Sequence, residues 1–239
     1  MGRQLKGLCK YCGKEYTRGG MYRHICSCSE RKKVLDAETG NKKCGYFQIL
    51  LYGKFDGDYW LLIEMRDTAT LEDLDQFIRD IWVECCGHLS AFDIDGEQYE
   101  SYPDMDDWYG PPAKSMKYKL KDVLSEGLVM GYDYDFGSTT ELVIKVLGYR
   151  SGFRREDTVT ILSRNIPPEI FCSRCGRNPA RWISPEGFYC GDAFRCDSCL
   201  EEGDDEEFCL PVCNSPRMGV CGYEGSDVYP DVFEPDKRA

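Results

Sequence analysis

The sequence predicts an α+β fold, a mostly antiparallel sheet packed on one principal helix, flanked by a small zinc finger and a C-terminal zinc-ribbon-like domain. Three observations carry this: β-rich runs paired across Gly/Asp turns, one strongly periodic amphipathic segment, and fifteen cysteines gathered mostly toward the two ends. A chain of 239 residues holds one large core with small appendages, since a core saturates at about 100–200 residues. The organisation expected is a finger over residues 1–34, an α+β body over 45–166 and a Cys-rich domain over 169–239.

The N-terminal stretch CKYCGKEYTRGGMYRHICSC places Cys9 and Cys12 two residues apart, His24 after eleven more residues and Cys28 four beyond it. Two cysteines on a tight turn offer two sulfurs to one ion, and residues i and i+4 of a short helix share a face, so Cys9, Cys12, His24 and Cys28 are expected to complete a zinc tetrahedron. Cys26 is the poorer fourth ligand, because His-x-Cys does not share a helical face. Tyr16 and Met21 occupy the apolar positions between knuckle and helix.

The body begins with YFQILLYGKFDGDYWLLIEMRD, residues 46–67, which reads as a hairpin. In the next segment Leu71, Leu74, Phe77, Ile78, Ile81, Trp82 and Cys85 recur at helical spacing, and Thr70-x-x-Asp73 forms a capping box. LSAFDIDGEQY follows as a strand pair about Asp95-Gly96. Residues 101–116 read as a loop, KLKDVLSEG as a short helix ended by Gly127, and LVMGYDYDF, TTELVIKVLGYR and DTVTILSRN as further strands. Asn165-Ile166-Pro167-Pro168 closes the body as a linker.

Beyond it, Cys172-x2-Cys175 and Cys196-x2-Cys199 are separated by twenty residues, a zinc-ribbon spacing that predicts one structural site from these four thiolates. Cys190, Cys209, Cys213 and Cys221 remain nearby and could close a second, interleaved site or act as buried apolar residues. Zinc is thus expected at two sites, with a third possible. Iron also suits sulfur-only sites, which keeps an iron or Fe–S redox sensor at the C-terminal cysteines as an alternative.

The formal net charge of −12 argues against wrapping duplex DNA through a broad basic face, because phosphate neutralisation supplies most non-specific affinity. Local contact through the finger stays open, using Lys10, Lys14, Arg18, Arg23, Arg31, Lys32 and Lys33. No apolar run reaches bilayer length and the start lacks a secretory signal, so a cytoplasmic protein with reduced thiols and no membrane partner is expected.

Chemistry beyond metal binding finds little support. His88 is expected to cap the principal helix at its C-terminus, and Cys85 and Cys86 to be a core residue and its neighbour. Asp135-Phe136-Gly137 reads as a strand-end turn, since no glycine-rich phosphate loop or catalytic HRD sequence accompanies it. The one enzymatic alternative gathers Asp104, Asp106 and Asp107 beside Asp133 and Asp135. No catalytic or cofactor-binding residue is assigned.

Three segments, TLEDLDQFIRDIWVECCGHLSAF, GYDYDFGSTTEL and LPVCNSPRMGVCGYEG, together resemble the Ri-plasmid Orf-three-like domain family, also labelled the insertion-element passenger TnpR family, in the version with zinc-binding N- and C-terminal ends. The likeness covers residues 46–165 and extends through both Cys-rich ends; Tyr134-Asp135-Phe136-Gly137 is its most specific step. Where the family has a polar and aromatic stretch, this sequence carries Ser138, Thr139, Thr140 and Glu141. The resemblance implies an α+β fold with zinc-containing ends and assigns no activity. The function expected is therefore that of a zinc-binding adaptor or regulator whose partner is another protein, with nucleic-acid binding through the finger as the alternative. Trp108, Tyr109 and the segment Asn214–Gly219, with Arg217 as a lone positive group, are the expected exposed contacts.

Overall fold

β1 (Lys6–Leu8) and β2 (Glu15–Thr17) pair as a short antiparallel hairpin. Thr17 then caps α1 (Arg18–Ser27), its hydroxyl accepting from the Gly20 amide at 3.3 Å, and Cys28 separates α1 from α2 (Ser29–Asp36). The computed structural model describes residues 4–103, 112–184, 187, 191–200 and 208–236. They fall into two compact units, one of residues 1–78, 89–166 and 233–239, the other of residues 79–88 and 167–232.

The expected hairpin supplies the second and third strands, counted from one edge, of the eight-stranded sheet of the first unit. β3 (Lys43–Gly53) pairs antiparallel with β4 (Trp60–Arg66), with Ile49 opposite Ile63 and Leu51 opposite Leu61. α3 (Leu71–Ile78) follows, opened by the capping box: the Thr70 amide donates to Asp73 at 2.8 Å and the Asp73 amide donates back to the Thr70 hydroxyl at 3.1 Å. β5 (Ser90–Ile94) and β6 (Glu97–Glu100) turn at Asp95 and Gly96, both with positive φ, the geometry an Asp-Gly hairpin favours. β7 (Lys114–Ser115), α4 (Leu120–Val123), β8 (Val129–Tyr134), β9 (Thr140–Phe153) and β10 (Val159–Arg164) complete this unit. The eight strands run β10-β4-β3-β9-β8-β5-β6-β7, antiparallel throughout except β6 with β7.

Two faces of this sheet are buried, for different reasons. Cross-strand partners share a face, so the register puts Leu51, Leu61, Leu142, Ile144 and Tyr132 together. α3 covers that face: its buried Asp75 accepts from the Tyr132 hydroxyl and from Ser90 Oγ, both at 2.7 Å. The alternate residues Leu50, Trp60, Leu62 and Leu162 form a separate core with Cys9, Tyr11, Cys12, Met21, Ile25 and Cys28 of the N-terminal segment. β3 is buried on both sides, which is why it reads as a near-continuous apolar run.

The principal helix departs from its expected course. After Ile78 the chain passes through a π-helical turn, Arg79–Val83, with the Glu84 amide donating to the Arg79 carbonyl five residues back at 3.1 Å. The wider turn breaks the 3.6-residue period, and Cys85, expected on the apolar stripe, ends half-buried. In the second unit β11 (Trp182–Ile183), β12 (Phe194–Arg195) and β13 (Leu210–Pro211) form a three-stranded antiparallel sheet, with α5 (Asp197–Leu200) after β12. The turn Arg79–Val83 is anchored within this unit by Ser215 Oγ, which donates to the Trp82 carbonyl at 2.6 Å. Among the described residues no helix is long and apolar enough to cross a membrane.

Candidate metal centres

The N-terminal group assembles as its spacing predicts. Gly13 takes φ 65 and its amide donates to the Cys9 carbonyl at 2.9 Å, closing a turn that aims the sulfurs of Cys9 and Cys12 to one side. His24 projects from α1 and Cys28 ends that helix, and the four donor atoms lie within 4.8 Å of one another. Sulfurs held at 2.3 Å around one zinc sit about 3.8 Å apart in a regular tetrahedron; Cys9 and Cys28 are 4.0 Å apart, and His24 Nε2 is 3.2 Å from Cys12 Sγ. The residues fit the ion. Tyr16 stacks on the His24 ring at 4.0 Å, fixing its plane. Burial and the Lys14 charge lower the His24 pKa, favouring the neutral ring that a metal requires. Burial, with Cys12 and Cys28 alongside, pushes the Cys9 thiol up to about 12. Cys26 is exposed and stands outside the group.

The C-terminal group repeats this local geometry. The Gly176 amide, at φ 64, donates to the Cys172 carbonyl at 2.8 Å, while Cys196 immediately precedes α5 and Cys199 lies within it. Cys172, Cys175, Cys196 and Cys199 converge within 4.8 Å, with 3.9 Å between the sulfurs of Cys175 and Cys196. Burial would raise the Cys172 pKa, yet the backbone amides of Cys175, Cys196 and Arg174 hold it down at about 6. Such an arrangement of N–H groups stabilises a thiolate. Cys199, which meets burial and the other three thiols without that compensation, is pushed up to about 12. Asn178 Nδ2 donates to Cys196 Sγ at 3.6 Å.

A third group was not expected in this form. Cys85, Cys86, His88 and Cys221 bring three sulfurs and one ring nitrogen within 4.8 Å of one another. His88 does not cap the helix, because the helical turn ends at Val83 and the chain then bends through Gly87 at φ 75. Its Nε2 lies 2.9 Å from Cys86 Sγ and 3.3 Å from Cys221 Sγ. Neither Cys85 nor Cys86 is a core residue, and Cys221 stands here rather than with Cys209 and Cys213. The sequence held three of the four ligands in plain view, two cysteines and a histidine within four residues. The fourth ligand is 133 residues away from His88, beyond the reach of spacing arguments.

Cys190 lies outside the described residues, as do Trp108, Tyr109, Asp104, Asp106 and Asp107. Cys213 is buried and Cys209 half-buried, and neither joins a metal-ligating group among the described residues. No disulfide links the described cysteines. Arg217, expected at the surface, is fully buried along with Asn214 and Ser215, and its Nη2 donates to Cys85 Sγ at 3.4 Å. Asp135 does form a turn, its carboxylate accepting from the amides of Gly137 and Ser138.

A family model described as plasmid pRiA4b ORF-3-like protein matches residues 48–170. The match takes in Cys85, Cys86 and His88 and stops short of both terminal cysteine groups. Among solved structures, a protein of unknown function from Methanosarcina mazei Go1 is similar at 20% identity and a TM-score of 0.41, covering 50% of this chain and 67% of that one. No curated protein matches the chain.

Proposed function

This chain belongs to the plasmid pRiA4b ORF-3-like family, and on that premise we propose that it is a zinc-binding adaptor or regulatory protein, its zinc structural, acting through contact with another protein. The observation that carries this reading is the seat of the N-terminal group: Cys9, Cys12 and Cys28 share a buried core with Met21, Ile25, Trp60, Leu62 and Leu162. An ion at that place would organise the packing of β1, α1 and the sheet. Its four side-chain donors fill a tetrahedron, and a filled tetrahedron leaves no position to activate water.

The choice of a protein over a nucleic acid rests on where the basic side chains go. Arg31 donates to buried Glu64 at 2.8 Å, Arg18 donates to the Gly57 carbonyl at 2.8 Å and covers the Tyr52 ring, Lys10 pairs with Asp236, and Lys33 with Glu30. Four of the seven cations that would meet phosphate are thus engaged within the chain, while Lys14, Arg23 and Lys32 are exposed. Sustained binding to a polyanion needs more neutralising contacts than these.

The test has two arms. Stripping the native protein with a chelator is expected to abolish its cooperative thermal transition; an unchanged melt would overturn the structural role. Titration of a labelled random duplex at rising salt is expected to give no binding at physiological ionic strength, whereas capture from native cells should retain a stoichiometric protein through high salt and nuclease treatment. Duplex binding that falls steeply with salt, or a capture lost to nuclease, would replace this reading with the nucleic-acid one.

A further inference from the structure

We propose that Cys85, Cys86, His88 and Cys221 form an additional zinc site, distinct from the two terminal ones and more quickly exchanged than the buried N-terminal site. The donor set is three thiolates and one imidazole, the same as at the N-terminal group, and its spacings of 3.7 Å for Cys85 to Cys86 and 3.9 Å for Cys86 to Cys221 match the edge of a zinc–sulfur tetrahedron of about 3.8 Å. All four residues belong to one compact unit, so the site needs no further assembly.

Two features of the surroundings suit a metal. The backbone presents the ligands through left-handed turns: Gly87 lies between Cys86 and His88 at φ 75, and Cys221, a non-glycine residue at φ 50, is followed by Gly222 at φ 68. A cysteine held in that region carries a conformational cost, which metal ligation would offset. The charge is also matched. Zinc with three thiolates and one imidazole has a net charge of −1 by formal count, and the guanidinium of Arg217, fully buried, donates to Cys85 Sγ at 3.4 Å. A cation in that second layer neutralises the cluster and fixes the Cys85 sulfur.

Exchange follows from access. Cys86 and Cys221 are exposed, whereas Cys9, Cys12 and Cys28 are buried. A competing ligand can reach the metal from the solvent side of the third group, while the apolar packing over the N-terminal group blocks such approach. The ion would tie Cys86 to Cys221, 135 residues apart, and its departure would release the segment Arg79–His88 at that end only, since Ser215 still holds the Trp82 carbonyl.

The experiment compares zinc content and the time course of zinc release to a chromophoric chelator for the natively purified wild type and for Cys86→Ser/Cys221→Ser. The wild type is expected to hold at least three zinc ions per chain and to release one of them in a fast phase; the double variant is expected to hold one fewer and to lack that phase. A variant with the wild-type zinc content, or with the fast phase intact, overturns the proposal. Should the double variant fail to fold, His88→Asn and the wild-type count decide it: a wild type holding only two ions refutes the third site and leaves the proposed function standing, whereas a wild type holding none refutes both.

Discussion

Gly13 and Gly176 show how much rests on single residues at the two Cys-x2-Cys turns. Each follows the second cysteine of a Cys-x2-Cys pair, at φ 65 and 64, and each amide closes the turn onto the first cysteine. An added Cβ at Gly176 meets nothing within 4 Å, so Gly176→Ala is expected to cost only the left-handed backbone penalty, about 1–2 kcal/mol, read as a lower melting temperature with weaker zinc retention. A substitution without effect on either would show that the turn is not held as described. The Cys-x2-Cys spacing was legible in the sequence at this scale because all its parts are local, and the structure adds the glycine that closes each turn. Arg217 was not: a lone arginine beside acidic sequence reads as exposed, and only the fold reveals that Cys85 lies against it.

Between elements, the buried carboxylate of Glu64 on β4 joins the N-terminal helices to the sheet. Arg31 of α2, Arg150 of β9 and Arg155 all donate to it, and Gln48 of β3 adds a fourth contact at 3.3 Å. Burial alone would raise its pKa, but Arg150, Arg31 and Arg155 together hold it down at about 2, against an ordinary value of 4.5. Because the folded pKa is the lower one, the carboxylate stabilises the fold above the unfolded value, and that contribution is lost as pH falls from 4.5 toward about 2. Glu64→Gln is expected to destabilise by about 3–5 kcal/mol near neutral pH, since it strands buried arginines. The gap between variant and wild type in denaturant unfolding should narrow across that acid range, and a gap independent of pH would contradict the assignment. Gly7 tests the seat of β1 against β10: an added Cβ would stand 2.4 Å from the Arg164 carbonyl oxygen and 2.6 Å from the Trp60 ring. Gly7→Ala is therefore expected to cost about 1–3 kcal/mol through overpacking, visible as a lower denaturant midpoint, whereas full tolerance would mean the close approach does not persist in solution. Hairpins were legible because their turn chemistry is local, and the helix start because its capping box is. The helix end was not, since a π-helical turn leaves the apolar residues in place while changing the angle between them. Nor could periodicity say that cysteines of the N-terminal segment would cover the second face of the sheet.

For the whole molecule, the charge of −12 acts through distribution as well as sum, because much of the positive charge near the N-terminus is spent on internal carboxylates and carbonyls. Of the three Cys/His groups that could hold a metal among the described residues, the sequence alone located two, those whose ligands lie within a single stretch, Cys9 to Cys28 and Cys172 to Cys199, a range within which spacing fixes geometry. The third needs two stretches more than a hundred residues apart, and only the tertiary fold joins them. The central claim is that these cysteines and histidines hold zinc as part of the structure. Elemental analysis of natively purified protein, taken together with its visible absorption spectrum, tests it most directly. The account predicts a colourless protein with at least three zinc ions per chain. Iron with visible absorbance, or protein that melts cooperatively with no bound metal, would contradict it.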